Sequence, residues 1–200
     1  MKVLVAGMQK SGSTALFNII RLCFIESGSV PHSSWYHFYD PKNISVHHVV
    51  KVHALEEDFR EWADIIFTAK RDIRDSMSSA KRCLKEFMPK GDYDFDEVLK
   101  LNTGYYFDWK PYSDYEFVYE DYTTNRTKVI AEIAEKLGVS INPKEVYSKL
   151  IDLTYNCKSF GIHTPHLITS HFHVGKMKVG GYRDFLTKDE IEGIYKYGKI

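Results

Sequence analysis

The apolar run Val3-Leu4-Val5-Ala6 passes without interruption into Gly7-Met8-Gln9-Lys10-Ser11-Gly12-Ser13-Thr14. A strand that enters a glycine-bounded loop and leaves it as a helix, here near Ser13, turns several backbone N–H groups towards one point. The positive end of the helix dipole faces the same point, so the junction is a ready site for phosphate or sulfate. In the P-loop of nucleotide hydrolases the pattern is G-x-x-x-x-G-K-S/T, with the lysine after the second glycine. Gly7 and Gly12 have that spacing, but Ser13 stands in the lysine position and the lysine of this loop is Lys10. The loop is expected to bind phosphate, though not in the manner of an ATPase.

The pattern beyond the loop extends the same architecture. Residues 14–27 carry apolar side chains at 16, 19, 20 and 23, a helical spacing that Gly28 would stop. Residues 29–45, with Pro31, Pro41 and the aromatic group Trp35, Tyr36, Phe38 and Tyr39, read as loop. Residues 44–52 are rich in β-branched side chains and read as a strand, followed by a short helix over 56–62. Residues 64–69 form a short continuous apolar run, the form of a buried parallel strand. Helical patterns cover 73–87, 95–109 and 127–137, and a further strand is expected at 116–119. Asn142-Pro143-Lys144-Glu145 and Thr187-Lys188-Asp189-Glu190 are helix starts. Residues 153–186 show no clean period. Strands alternating with helices predict an α/β fold, a three-layer sandwich around a mostly parallel central sheet, as one domain over 1–200.

Composition narrows the partners. Lys+Arg and Asp+Glu both total 27, so the formal net charge is zero. A neutral chain is not expected to bind nucleic acid or an anionic membrane in general. Local basic groups at Lys70, Arg71, Arg74, Lys81, Arg82 and Lys85, and at Lys176, Lys178 and Arg183, suit a small anionic ligand instead. Three cysteines, Cys23, Cys83 and Cys157, without C-x-x-C spacing argue against a disulfide framework or a zinc site. His163, His166, His171 and His173 have no acidic or cysteine ligand at suitable spacing, so no metal is expected there. The N-terminal run is too soon broken by Gly7 and Lys10 for a signal peptide, and no run has membrane-helix length. The reading is cytoplasmic.

Ligands of parallel α/β sheets bind beyond the carboxyl ends of the strands. The residues that follow the expected strands are the phosphate loop, then Lys51-Val52-His53, then Lys70 to Asp75, then Tyr119-Glu120-Asp121. A lysine–histidine pair and an arginine–serine patch therefore share one sheet edge with the phosphate loop.

These residues resemble the sulfotransferases that use 3′-phosphoadenosine 5′-phosphosulfate (PAPS). Gln9-Lys10-Ser11-Gly12-Ser13-Thr14 is similar to that family's 5′-phosphosulfate loop. Arg71-Asp72-Ile73-Arg74-Asp75 with Ser79 resembles its 3′-phosphate motif, an arginine with a serine eight positions on. Lys51-Val52-His53 matches its K-x-H, and Tyr119-Glu120-Asp121 its Y-E-D. The stretch from Lys176 and Lys178 to Arg183 resembles its loop over the nucleotide. Two departures stand out: Ala15 occupies the place of a tryptophan that packs on adenine, and Met177 replaces a glycine.

The resemblance implies a P-loop-like sulfotransferase fold and transfer of a sulfuryl group from PAPS, leaving PAP, to an acceptor hydroxyl or amine. His53 would be the general base. Lys10 would neutralise charge at the 5′-phosphate, and Lys51 would assist the transferring group. Ser11, Gly12, Ser13 and Thr14 would cradle the 5′-phosphate, with Arg71, Ser79, Lys176 and Lys178 on the nucleotide. The acceptor would be a small molecule or a glycan or peptide hydroxyl, which the residues do not distinguish. Two other readings remain open: a P-loop kinase of a small molecule or nucleotide, with Asp72 the nearest metal-binding aspartate, and a non-catalytic PAP- or nucleotide-binding protein.

Overall fold

The computed structural model describes residues 1–87, 94–156 and 179–196. Val3, Leu4, Val5 and Ala6 are all buried in β1 (Lys2–Gly7). Successive buried residues need cover on both faces of a strand, which a parallel sheet with flanking helices supplies. The other strands are β2 (His32–Trp35), β3 (His48–Lys51), β4 (Ile65–Lys70) and β5 (Tyr115–Val118). They form one sheet in the order β2-β3-β1-β4-β5, with every pairing parallel. Among the described residues the helices are α1 (Ser13–Glu26), α2 (Glu57–Trp62), α3 (Ile73–Phe87), α4 (Phe95–Trp109), α5 (Tyr119–Thr124), α6 (Arg126–Leu137), α7 (Pro143–Asn156) and α8 (Lys188–Lys196). The expected α/β architecture is observed.

The two-residue period of the strands builds the layers. Val3, Val5, Val49, Phe67 and Phe117 pack with Leu16 and Ile20 of α1, Ile130 and Ile133 of α6, and Val146 of α7. Leu4, Ala6, Val50 and Ile66 point the other way, onto Trp109 of α4 and Phe59 and Trp62 of α2. A third cluster joins Met8, Ile73, Met77, Leu99, Tyr106, Tyr182 and Ile194. Burying one side chain such as Phe67 contributes about 1.5–3 kcal/mol, so these clusters fix the sheet before any polar contact is considered.

The helix signals act as expected. Ser29 N–H reaches Phe24 O (2.8 Å) past Gly28, whose φ of 89° ends α1. Asn142 Oδ1 accepts from Lys144 N–H (3.0 Å). Thr187 and Glu190 form the capping box reciprocally, at 2.7 and 3.2 Å.

Three expectations need correction. Residues 32–35, read as loop, are an edge strand, held by register with β3 (His32↔His48 to Trp35↔Lys51) rather than by an apolar pattern. The strand expected over 44–52 is only His48–Lys51, because β1 begins opposite His48 and residues before it have no strand to pair with. Ile44 (98% exposed) and Val46 (77%) accordingly face outwards. Tyr119 leaves the strand and opens α5.

Candidate active site

The chain leaving β1 crosses towards β2 on one side and the chain leaving β4 runs to β5 on the other, so a crevice opens at the carboxyl ends of these neighbouring strands. Gly7, Lys51 and Lys70 end their strands at this edge.

Three residues of the loop are left-handed: Gly7 (φ 101°), Lys10 (φ 57°) and Gly12 (φ 90°). Lys10 is the one non-glycine residue with positive φ among those described. That conformation costs a lysine roughly 1–2 kcal/mol, and it persists because the surroundings enforce it. Ser11 Oγ donates to Met8 O (2.6 Å), Gln9 N–H donates to Asn102 Oδ1 of α4 (3.1 Å), and Ser76 Oγ of α3 donates to Gln9 O (2.7 Å). Arg71 adds a long contact to Lys10 O (3.4 Å). Gly12 is the N-cap of α1 and brings no side chain to cover the helix start. A Cβ there would lie 2.5 Å from Tyr119 Cδ2, so the loop rests directly on that ring.

Lys51 and His53 stand on the next strand end. The Lys51 ammonium is buried, donates to Thr14 Oγ1 (2.7 Å) and sits 4.5 Å over the Trp35 ring. Burial first, and the charge of Lys10 second, push its pKa down to about 7. His53 Nδ1 is 2.8 Å from Gly7 O. Burial and the cations Lys51 and Lys10 outweigh that bond and push the imidazole down to about 3. A neutral ring beside a carbonyl must place its proton on Nδ1, leaving the lone pair on Nε2. Trp35 meets the ring edge-on at 5.3 Å and Tyr105 stacks at 6.3 Å. Trp109 Nε1–H binds His53 O (3.0 Å) and holds its backbone.

Arg71 is buried at the end of β4, its guanidinium 4.4 Å over the Tyr119 ring. One aromatic ring thus touches both the loop at Gly12 and the arginine. Ser79 is half-buried on α3. Asp72 is engaged: Arg74 Nε donates to its Oδ1 (2.9 Å), which with the other bonds to Arg74 holds its carboxyl below the usual range against burial.

The structure therefore gathers Lys10, Ser11, Gly12, Ser13, Thr14, Lys51, His53 and Arg71 at one sheet edge, linked by the bonds above. Lys176 and Lys178, with His163, His166, His171 and His173, lie outside the described residues. Trp35 and Tyr105 join the site beyond what sequence reasoning proposed. In the aromatic run of α4, Tyr106 is buried, Tyr105 half-buried and Phe107 48% exposed. Asn102 and Ser76, which hold the loop, carry no sequence signal. No group of three His, Cys, Asp or Glu side chains suited to a metal occurs among the described residues. No described helix is long and apolar enough to cross a membrane.

No family model and no curated protein sequence matches the chain. Solved structures do. A mouse sulfotransferase complexed with PAP superposes with a TM-score of 0.73 at 14% identity, covering 98% of this chain and 81% of its own. A retinol dehydratase with androsterone and the inactive cofactor PAP gives 0.68 at 16% identity, covering 98% and 79%. The complex of a retinol dehydratase with retinol and PAP gives 0.65, again at 16% identity with 98% and 79% covered. The chain has the fold these proteins share.

Proposed function

We propose that this chain is a PAPS-dependent sulfotransferase acting on a hydroxyl of a small molecule, with His53 as general base. The observation that carries the reading is the His53–Gly7 bond (2.8 Å), which presents an unprotonated Nε2 beside a phosphate loop that bears Lys10 and touches Lys51. The similar structures that hold PAP support it.

The residues present fit such a donor. A side-chain-free helix start at Gly12 offers the 5′-phosphate backbone donors, and the buried guanidinium of Arg71 offers the 3′-phosphate a charged one. Lys10 and the N–H groups of Ser11 to Thr14 would hold the 5′ end. Arg71 and Ser79, with Lys176 and Lys178, would hold the 3′ end. PAPS, when bound, supplies an activated sulfuryl group.

This chain's own part is positioning and charge. Lys51, held by Thr14 Oγ1, brings a positive charge to the loop and the base below about pH 7. His53 Nε2 removes the proton of the acceptor hydroxyl, and the Gly7 carbonyl stabilises the imidazolium that results. The Trp35 and Tyr105 rings beside His53 favour a flat apolar alcohol. Retinol and androsterone in the similar structures are of that class. The kinase reading loses ground because Asp72, its nearest metal-binding aspartate, already serves Arg74.

The test is transfer of label from PAPS to a panel of phenols, steroids and terpenoid alcohols, with titrations of PAP and of ATP·Mg²⁺. Labelled acceptor supports the proposal. PAP binding without transfer to any acceptor would make the chain a nucleotide binder, and tighter ATP·Mg²⁺ binding would favour a kinase.

A further inference from the structure

The turn Arg71–Asp75 ends β4, but it also joins two distant parts of the chain. Asp75 is 3% exposed, and its carboxylate accepts from the backbone N–H of Gly180 (2.7 Å) and of Tyr182 (2.9 Å). The next residue, Ser76, bonds to Gln9 O of the phosphate loop. Arg74, clasped by Asp72, lies 4.5 Å over the Tyr182 ring and donates to Tyr195 Oη (2.9 Å). Further along α3, Lys81 pairs with Glu190 (2.6 Å). Tyr182 packs in one cluster with Met8 of the loop. From the other side, Glu120 Oε1 accepts from Asp72 N–H (3.0 Å).

A buried carboxylate close to a site that collects anions is unfavourable unless its charge is met. Two backbone N–H groups and the first turn of α3 meet it here. The transfer chemistry does not use this group. We infer that Asp75 is a positioning residue: it locks Gly180 and Tyr182 to the turn that carries Arg71, so that recognition of the donor's 3′-phosphate depends on that lock. The inference rests on reading this edge as a PAPS site. Coupling is reciprocal. A ligand whose 3′-phosphate engages Arg71 strengthens the lock, and one without that phosphate does not.

Asp75→Asn keeps the shape but turns an amide N–H towards a backbone N–H, so one of the two bonds is lost. Calorimetry with PAP and with adenosine 5′-phosphosulfate, which lacks the 3′-phosphate, is expected to show the preference for PAP falling at least about tenfold. In the wild-type chain, hydrogen exchange at the Gly180 and Tyr182 amides is expected to slow with PAP and not with adenosine 5′-phosphosulfate. An unchanged preference, or equal weakening of both ligands, overturns the inference. Should the variant not fold, the wild-type exchange decides: equal slowing by both ligands, or by neither when both bind, overturns it. A wild-type chain that binds neither nucleotide removes the sulfotransferase reading itself, and this inference with it.

Discussion

His53 Nδ1 lies 2.8 Å from the carbonyl oxygen of Gly7, so the strand that delivers the phosphate loop also sets the tautomer of the imidazole. The loop and the proposed base are thereby joined directly. His53→Ala is expected to lower kcat by roughly 10²–10⁴, the usual contribution of a positioned base. PAP affinity should stay near wild type, because the proposal puts the nucleotide on Lys10, Arg71 and Ser79 instead. A variant with lower Tm and near-normal kcat would mean that the ring only supports Gly7.

The pH dependence follows from two depressed pKa values. His53, pushed down to about 3, stays neutral at the pH of assay, so kcat/KM for the donor should show no rise near 6.5, where an ordinary imidazole would titrate. Lys51, pushed down to about 7, loses its charge as pH rises through that value, so kcat/KM should fall on the alkaline side. Lys51→Arg should move that fall to higher pH, and Lys51→Met should flatten it. An acid-side inflection near 6.5 that vanishes in His53→Ala would keep His53 as the base but show that its imidazole is not depressed.

Stability should respond to Lys51 in the opposite sense. Its folded pKa of about 7 is below the unfolded value, so the unfolded chain binds more protons between about pH 7 and 10. Over that window this group's penalty is relieved as pH rises. Denaturant titrations of wild type and Lys51→Met should therefore converge with rising pH. Parallel curves would mean that burial does not disfavour the charged amine.

Much of this was legible in the chain because the β-α junction writes its geometry in glycines, and because strand ends carry ligand residues whatever their sequence neighbours. Gly7 and Gly12 marked the loop, and the residues after β3 and β4 marked Lys51, His53 and Arg71. Strand β2 was not legible, since Ser33 and Ser34 give no apolar alternation and its pairing comes from β3. Trp35 and Tyr105 reach His53 from elements distant in sequence, a juxtaposition that local pattern does not encode. The Asp75 bonds span more than a hundred residues and belong to the same class.

Arg71 is the test of nucleotide choice. Loss of a buried charge-assisted contact should weaken PAP by about 2–4 kcal/mol in Arg71→Ala. Adenosine 5′-phosphosulfate should lose little by comparison. Because the guanidinium also lies on Tyr119, melting curves must accompany the titrations. Equal losses for both ligands would remove Arg71 from 3′-phosphate recognition.

Lys10, Lys51 and Arg71 provide the positive charge the proposed transfer needs. EDTA should therefore leave the rate within about twofold, well short of the tenfold that about 1.36 kcal/mol represents. An absolute requirement for Mg²⁺ would favour phosphoryl transfer.

Gly12→Ala tests whether the Tyr119 ring is the floor of the site. Two penalties are separable. The first is conformational: φ of 90° is unfavourable for any residue with a Cβ, by of order 1 kcal/mol or more. The second is steric: the new methyl would stand 2.5 Å from Tyr119 Cδ2, in a ring that neighbours the buried Tyr122. If the ring moves, Arg71 above it moves too, so Gly12→Ala should lower both Tm and PAP affinity. Tyr119→Ala should by itself weaken PAP by freeing Arg71. In the double variant the clash with the Tyr119 ring is gone, leaving the conformational penalty and a tight approach to Phe117 Cε1 (3.2 Å), so the two losses should be less than additive. Strict additivity, measured by denaturation and by PAP titration, would show that loop and arginine do not share that floor.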